Sequence, residues 1–428
     1  MRLQTEPESQ VHATTAERNY RVLHVLDHSW PLLSGYSVRS RSIVRAQQAL
    51  GHDVSVVTGI SQQVDDPASA DSTFDGIAHY RTPIPTGIAG SAIRRRIPIL
   101  RELSSVIALR RRIRQVMREG SFDAVHAHSP ALCGLAAYLA ARPAGIPVLY
   151  EIRGFWEESA VTTGRGRRRS WRYHLTRWLE SFVARRSSGV IGISQAIVQD
   201  LHDRGLPRHK MFCVPNGVES ERFPVPPRDT RLAEELRLPA GQTVFGFIGS
   251  MWRFEGIPWL VEATAELRRR GFGFQLLIIG HGEDAARVEE RISKLGVSDF
   301  VRFLGRIPHE RIGCYYSLMD VLVYPRHRLP VTEKVTPLKP LEAMAQCKVV
   351  LGSDVGGLRE LVEPEVNGLL FKADDVEDFC LQASRLISDS SLRSRLAASG
   401  RESVLRERDW RQLARRYGTI YEKAVQRP

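Results

Sequence analysis

The chain has 428 residues, 43% of them hydrophobic and 8% aromatic, and a formal net charge of +13. That length exceeds one ordinary core and predicts two domains, and the apolar content excludes a disordered or fibrous protein. Its five cysteines (Cys133, Cys213, Cys314, Cys347 and Cys380) are odd in number, scattered, and form no Cys-x-x-Cys pair, which argues for a reducing compartment and against a zinc site.

Residues 1–19 read as a disordered polar tail without the apolar core of a signal peptide. Arg21 to Leu26 is a first strand, and the loop Asp27 to Tyr36 with Ser34-Gly35 leads into a helix carrying Val38, Ile43, Val44, Ala46 and Leu50 and ending at Gly51. Asp53 to Thr58 completes a β-α-β unit. A basic helix from Leu100 to Arg118 follows, then a strand at Ala124-Val125-His126 and a small-residue helix, Pro130 to Ala141. This last run is too short to cross a bilayer. Val148-Leu149-Tyr150 is the next strand, a Trp-rich helix spans Trp171 to Arg185, and Gly189 to Ile193 is a strand with Ser194 capping the helix beyond it.

Pro224, Pro226 and Pro227 mark a linker, after which the alternation restarts at Val244. Strands are expected at Gln275–Ile279, Val301–Phe303, Val321–Tyr324, Val349–Leu351 and Leu369–Phe371, with helices between them. Asp409 to Val425 is helical by pattern, with Trp410, Leu413, Tyr417 and Tyr421 along one side. The fold expected is α/β, two doubly wound domains facing across a cleft.

In the second half, the strand Val321–Tyr324 runs into a loop and then a helix after Pro340, so that Glu333, Lys334, Lys339 and Glu342 fall at the loop or helix start. An α/β sheet binds ligands beyond the carboxyl ends of its strands, and a helix start there offers N–H groups to an anion. A lysine adds positive charge, and a glutamate can accept from hydroxyl groups such as those of a ribose. The same residues also fit a helix start with solvated charges.

Charge is unevenly spread. Residues 1–218 hold 29 Lys+Arg and 18 Asp+Glu, so +11 of the +13 lies in the first half. Two clusters, Arg94-Arg95-Arg96 through Arg118 and Arg165 through Arg186, suit anionic lipid headgroups or phosphorylated substrates, and equally a solvated helix face. Nucleic acid is not expected, since no recognition motif accompanies the arginines. Asp65-Asp66 and Asp374-Asp375 are paired carboxylates without a supporting motif, so no required metal is expected.

Several short motifs, each weak alone, fall in a specific order: Asp123 to His128 (DAVHAH), Val190 to Ser194 (VIGIS), Val214 to Glu219 (VPNGVE), Ile279 to Gly282 (IGHG), Val301 to Pro308 (VRFLGRIP) and Gly356 to Leu361 (GGLREL). With them the chain resembles family-4 glycosyltransferases of the GT-B fold from Arg21 to Tyr421. His24 to Ala46 and Thr336 to Ala345 look like the branch associated with exosortase and exopolysaccharide gene clusters.

The resemblance implies retaining transfer from a UDP- or GDP-linked sugar, without a cofactor, to a glycan or lipid-linked acceptor. It implies an acceptor-side domain at 20–222, a donor domain at 223–408, and a C-terminal helix, 409–428, crossing back to the first domain. It assigns Glu342 to the nucleotide ribose, Lys339 to the diphosphate, His128 to the donor sugar as an orienting partner, and Gly35 to close approach of the first-domain loop. Two departures stand out. The family's earlier glutamate falls at Lys334, so its role passes to Glu333. The usual Arg and Lys that grip the diphosphate are Ser250 and Glu255 here, leaving Arg253, Lys339 and Arg326 as replacements. Arg153 and Glu157 are candidates for the acceptor side. The location expected is cytoplasmic, with docking of the first-domain arginines to the inner face of the plasma membrane. The competing readings are another GT-B enzyme, such as an epimerase or phosphorylase, and a non-catalytic nucleotide-binding or membrane-docked protein.

Overall fold

A computed structural model describes residues 18–32, 34–62, 71–84, 98–225 and 227–426. The tail at 1–17, Asp65-Asp66, Arg94-Arg95-Arg96 and Pro226 lie outside the described residues.

Two sheets form, one from each half of the chain. The first contains β1 (Arg21–Leu26), β2 (Asp53–Thr58), β3 (Asp71–Phe74), β4 (Ile77–Arg81), β5 (Ala124–His128), β6 (Val148–Ile152), β7 (Gly189–Gly192) and β8 (Met211–Cys213), in the order 3-4-2-1-5-6-7-8. The second contains β9 (Thr243–Ile248), β10 (Phe274–Ile279), β11 (Val301–Phe303), β12 (Val321–Tyr324), β13 (Val349–Ser353) and β14 (Leu369–Phe371), in the order 11-10-9-12-13-14. Among the described strands only β3 and β4 pair antiparallel. Strands β5, β6, β9, β10, β12 and β13 are buried along their whole length, as strands covered by helices on both faces must be, which is why they read as apolar runs. The chain order reverses beside β1/β5 in one sheet and β9/β12 in the other, the two places where such sheets open a crevice.

The connection after β12 differs from the expected plain loop. A short helix, Pro330–Lys334, with proline in its first turn, precedes the helix Lys339–Ala345.

The last helix, Trp410–Val425, leaves the second sheet and packs on the first. Its Trp410, Leu413, Tyr417 and Tyr421 are buried with Val22, Ile43 and Val56 in one apolar cluster. The outgoing and returning segments pair where they cross: Val218 N–H donates to Arg408 O at 2.8 Å and Trp410 N–H to Val218 O at 3.1 Å. Gly217 makes room, because a Cβ there would lie 2.6 Å from Arg408 O. Trp410 also lies beneath the Arg39 guanidinium, 5.0 Å from its ring. Trp410→Ala is therefore expected to cost about 3–5 kcal/mol by leaving a cavity at the crossing, read as a lowered midpoint in denaturant unfolding.

Candidate active site

At the β9/β12 switch point three charged side chains meet. Lys339, first residue of its helix, reaches back over Gly249 at the end of β9, and a Cβ on Gly249 (φ +147°) would lie 2.3 Å from Lys339 Cε. Its Nζ donates to Ser250 O at 3.1 Å and lies 3.0 Å from Glu255 Oε1 and 4.7 Å from the Phe247 ring. Arg326, at the end of β12, is 4% exposed and places Nε 3.7 Å from Glu255 Oε2. Gly256 lets the β9 loop press against β12, since a Cβ at its φ of +72° would lie 2.1 Å from Pro325 O. Burial lowers the pKa of Lys339, which Glu255 partly offsets. Burial opposes ionisation of Glu255, yet Lys339 and Arg326 hold its carboxyl below the ordinary range. Two cations around one carboxylate leave a net positive site at a helix start.

Glu342, in the first turn of the same helix, lines a cleft of about 90 Å³ between the two sheets with Trp30, Arg39, Arg222 and Leu338. Burial pushes its carboxyl up to about 6. Because that value lies above the ordinary carboxyl range, the charged form is complete only at higher pH, and protonation as pH falls through about 6 removes half of its acceptor capacity. The KM for donor is expected to rise below pH 6, and Glu342→Gln to have a raised KM without that inflection, as pH-dependent initial rates would show.

The first-domain candidates occupy a sealed network. Glu151, buried on β6, accepts from Arg39 Nε at 3.1 Å, Arg153 Nε at 3.0 Å and Tyr417 OH at 2.6 Å. Arg153 Nη2 lies 2.7 Å from His128 Nδ1. A guanidinium only donates, so that nitrogen accepts and the proton of His128 sits on Nε2, facing His24 Nδ1 at 3.0 Å. His24 Nε2 then donates to Gln47 Oε1 at 2.9 Å. Burial, with Arg153 adding to it, lowers His128 to about 3, and burial lowers His24 to about 4, so both rings are neutral.

His24, His126 and His128 also have the spacing of a metal-ligand triad. Their donors do not suit an ion: both nitrogens of His128 and of His24 are engaged, His126 Nδ1 is held by Tyr421 OH at 2.9 Å, and Arg153 brings a fixed positive charge against His128. Only His126 Nε2 is buried without a hydrogen-bond partner among these rings.

This placement changes several expected roles. His128, expected to orient the donor sugar, is fully buried, with both ring nitrogens bonded inside the domain. Arg153, expected on the acceptor side, is likewise turned inward, with Nη1 on Tyr36 O at 2.9 Å and Ser40 Oγ at 2.8 Å. Glu157, the other acceptor-side candidate, is 2% exposed and paired with Arg204 Nη2 at 3.0 Å, a buried ion pair beside Phe155. Glu333 accepts from Arg328 Nη1 at 2.7 Å, Arg359 Nη2 at 3.0 Å and Gly356 N–H at 2.9 Å. It caps the turn Gly356–Arg359 and lines a second opening, with Asp200 and Lys334, away from Glu342. Arg253 is exposed on the β9 loop and does not join the Lys339 cluster, whereas Arg326 does. Gly35 opens its helix, exposed, with no atom within 4 Å of where a Cβ would stand. Asp374 pairs with His327, and Asp375 caps the helix Val376–Ser388, so this carboxylate pair has local partners.

The residues that sequence reasoning missed are Arg39 and Glu151, which tie the halves together. Arg39 Nη1 donates to Asn216 Oδ1 at 2.7 Å, and Asn216 Nδ2 donates to Thr336 O at 2.6 Å, three residues before Lys339. Glu360 of the second half accepts from the N–H groups of Gln195 and Ala196 at 3.2 and 3.1 Å, a carboxylate on the positive end of a first-domain helix. Lys334 pairs with Asp200 across the same boundary.

The model of the family described as glycosyl transferases group 1 matches residues 229–403, and that of the glycosyl transferase 4-like domain matches residues 34–217. The chain is similar to a GDP-mannose-dependent alpha-mannosyltransferase of Mycolicibacterium smegmatis, with 28% identity across 91% of this chain and 94% of the relative. It is 26% identical to a protein of the same description from Corynebacterium glutamicum, over 92% and 87% of the two chains. In fold it matches sucrose-phosphate synthase of Thermosynechococcus elongatus (TM-score 0.73, 21% identity, 94% of this chain and 98% of the other). It also matches Anabaena HepE in complex with UDP (TM-score 0.72, 17% identity, 94% and 99%). With two matched family models that together cover every strand of both sheets except β1, and with the Rossmann-like halves set across a cleft, the chain belongs to the family-4 glycosyltransferases of the GT-B fold, which transfer a sugar from a nucleotide sugar.

Proposed function

We propose that the protein is a retaining transferase that moves a hexosyl unit from a UDP- or GDP-linked sugar to a glycan or lipid-linked acceptor in bacterial exopolysaccharide or cell-surface polysaccharide synthesis. The observation that carries the reading is the pairing of Lys339 and Glu342 one turn apart at a helix start, the carboxylate opening on the inter-domain cleft. Glu342 accepts from the ribose hydroxyls. Lys339, with Arg326 behind it, offsets the negative charge that grows on the diphosphate as the glycosidic bond breaks. The departing phosphate oxygen takes the acceptor's proton on the same face of the sugar, so no strong protein base is needed and configuration is kept. Positioning within the cleft supplies much of the acceleration. The Glu151 network holds the first-domain wall that closes over the donor, and His128 acts within that wall. The donor chemistry of the site calls for no metal. The reading places the enzyme in the cytoplasm at the inner face of the plasma membrane.

The test is a transfer and donor-hydrolysis assay with GDP-mannose first, as the relatives' names suggest, then other GDP- and UDP-sugars, against free and lipid-linked acceptors, with and without EDTA. NMR of the product gives the anomeric configuration. Transfer with retention, unaffected by EDTA, supports the proposal, and inversion refutes the mechanism. A second reading, a nucleotide-binding protein without transfer, is favoured by one observation: Glu255 stands 3.0 Å from Lys339, so a carboxylate already occupies part of the anion's place. Binding of UDP or GDP with no sugar released or transferred would establish it.

A further inference from the structure

We infer that the outer faces of two first-domain helices form a surface that inserts shallowly into an anionic lipid bilayer. This deepens the peripheral-membrane part of the proposed function and is read separately from sugar transfer. The helix Pro98–Glu119 buries Val106, Leu109, Ile113 and Val116, and its opposite face exposes Leu100, Leu103 and Ile107 at 44, 54 and 39%. The helix Trp171–Arg186 buries Val183 and Ala184 in the same core, and exposes Trp171, Leu175 and Trp178 at 64, 43 and 57%. Both stripes follow helical spacing, so each helix is apolar on two sides, one toward the core and one toward solvent.

Between them lies the helix Ala131–Ala141, with Leu139 37% exposed, and the Arg172–Glu102 ion pair at 2.6 Å joins the ends of the outer two helices. Six large apolar side chains on one side of a domain are unusual for a surface bathed only in water.

Charge selects the occupant. Residues 98–119 and 163–186 carry fourteen arginines and three glutamates. A second copy of the chain would set one arginine field against another, and a polyanion alone would leave the leucines and tryptophans unused. A bilayer with anionic headgroups satisfies both: the indoles and leucines enter the headgroup boundary while the guanidinium groups stay at the phosphates. Among the described residues no helix is long and apolar enough to cross a membrane.

The experiment is co-sedimentation of the full chain with phosphatidylcholine vesicles, with and without phosphatidylglycerol. The wild type is expected to bind the anionic vesicles, and Trp171→Glu/Trp178→Glu to bind them at least about tenfold more weakly. Leu103→Gln/Ile107→Gln, on the other helix, should weaken binding in the same direction. An unchanged thermal midpoint and unchanged UDP or GDP binding keep both variants interpretable. The inference is overturned if the wild type ignores anionic vesicles or if both double variants bind like the wild type. It is also overturned if the exposed tryptophans prove to hold a dimer that the variant loses without any change in vesicle binding.

Discussion

Lys339→Ala is expected to lower kcat for sugar transfer by about 10²- to 10³-fold, the loss typical of removing one preorganised group that stabilises charge in the transition state. On the proposed reading, Ser250 and Glu255 stand where cations would grip the leaving group, and the positive charge comes from Lys339, brought beside them by a helix start from the neighbouring strand. Glycine at 249 is the condition for it, because any side chain there would collide with the lysine's methylenes. A lysine kept only for structure gives a different result: kcat would hold while the thermal midpoint fell, since Glu255 would lose its closest counter-charge. Glu255→Gln separates the two further. It frees Lys339 from its carboxylate and should raise affinity for UDP or GDP while destabilising the fold, measured by calorimetric titration beside thermal unfolding.

Glu151→Gln is expected to cost roughly 3–5 kcal/mol of stability, because it leaves Arg39 and Arg153 buried without their shared counter-ion. In a thermal scan this corresponds to a fall of roughly 10 °C. Burial opposes ionisation of Glu151, but the Arg39 and Arg153 guanidinium groups overcome it and hold its carboxyl well below the ordinary range, so its contribution is present above pH 4.5 and lost only as pH falls further. The neutral histidines act at higher pH. His24, His126 and His128 have folded values far under 6.5, so the unfolded chain binds more protons as pH falls and stability declines from about 6.5 downward. The wild type should therefore lose stability between pH 6.5 and 4.5 before Glu151 is touched. His126→Gln, which cannot be protonated, should flatten part of that slope in chemical denaturation at a series of pH values.

Most strands were legible because parallel sheets demand uninterrupted apolar runs, and each expected strand is present within a residue or two. The β3–β4 hairpin was missed although Asp75-Gly76, with φ of 54° and 76°, carries the signature of a tight two-residue turn between alternating residues. Local pattern also placed Lys339 and Glu342 together, since they stand three positions apart on one helix. It could not place Glu333, whose partners Arg328 and Arg359 and the Gly356 N–H come from the loop before it and a turn beyond β13. Nor could it show that His128, Arg153 and Glu157 face inward, because whether a polar side chain at a strand end meets solvent or a distant helix is decided by tertiary contacts. Tyr417, more than 260 residues from Glu151, closes that network. A stripe of four aromatic and apolar residues on the last helix was the only sequence-level sign of it.

The return of the final helix to the first sheet has a consequence for biosynthesis. As the chain emerges from a ribosome, the opening half is translated early but stays short of Trp410, Tyr417 and Tyr421, which complete its core and its buried charge network. The later half, from β9 to β14, holds all its strands before that helix is made. The half made second is thus the first to be finished, and the half made first waits for the helix Trp410–Val425.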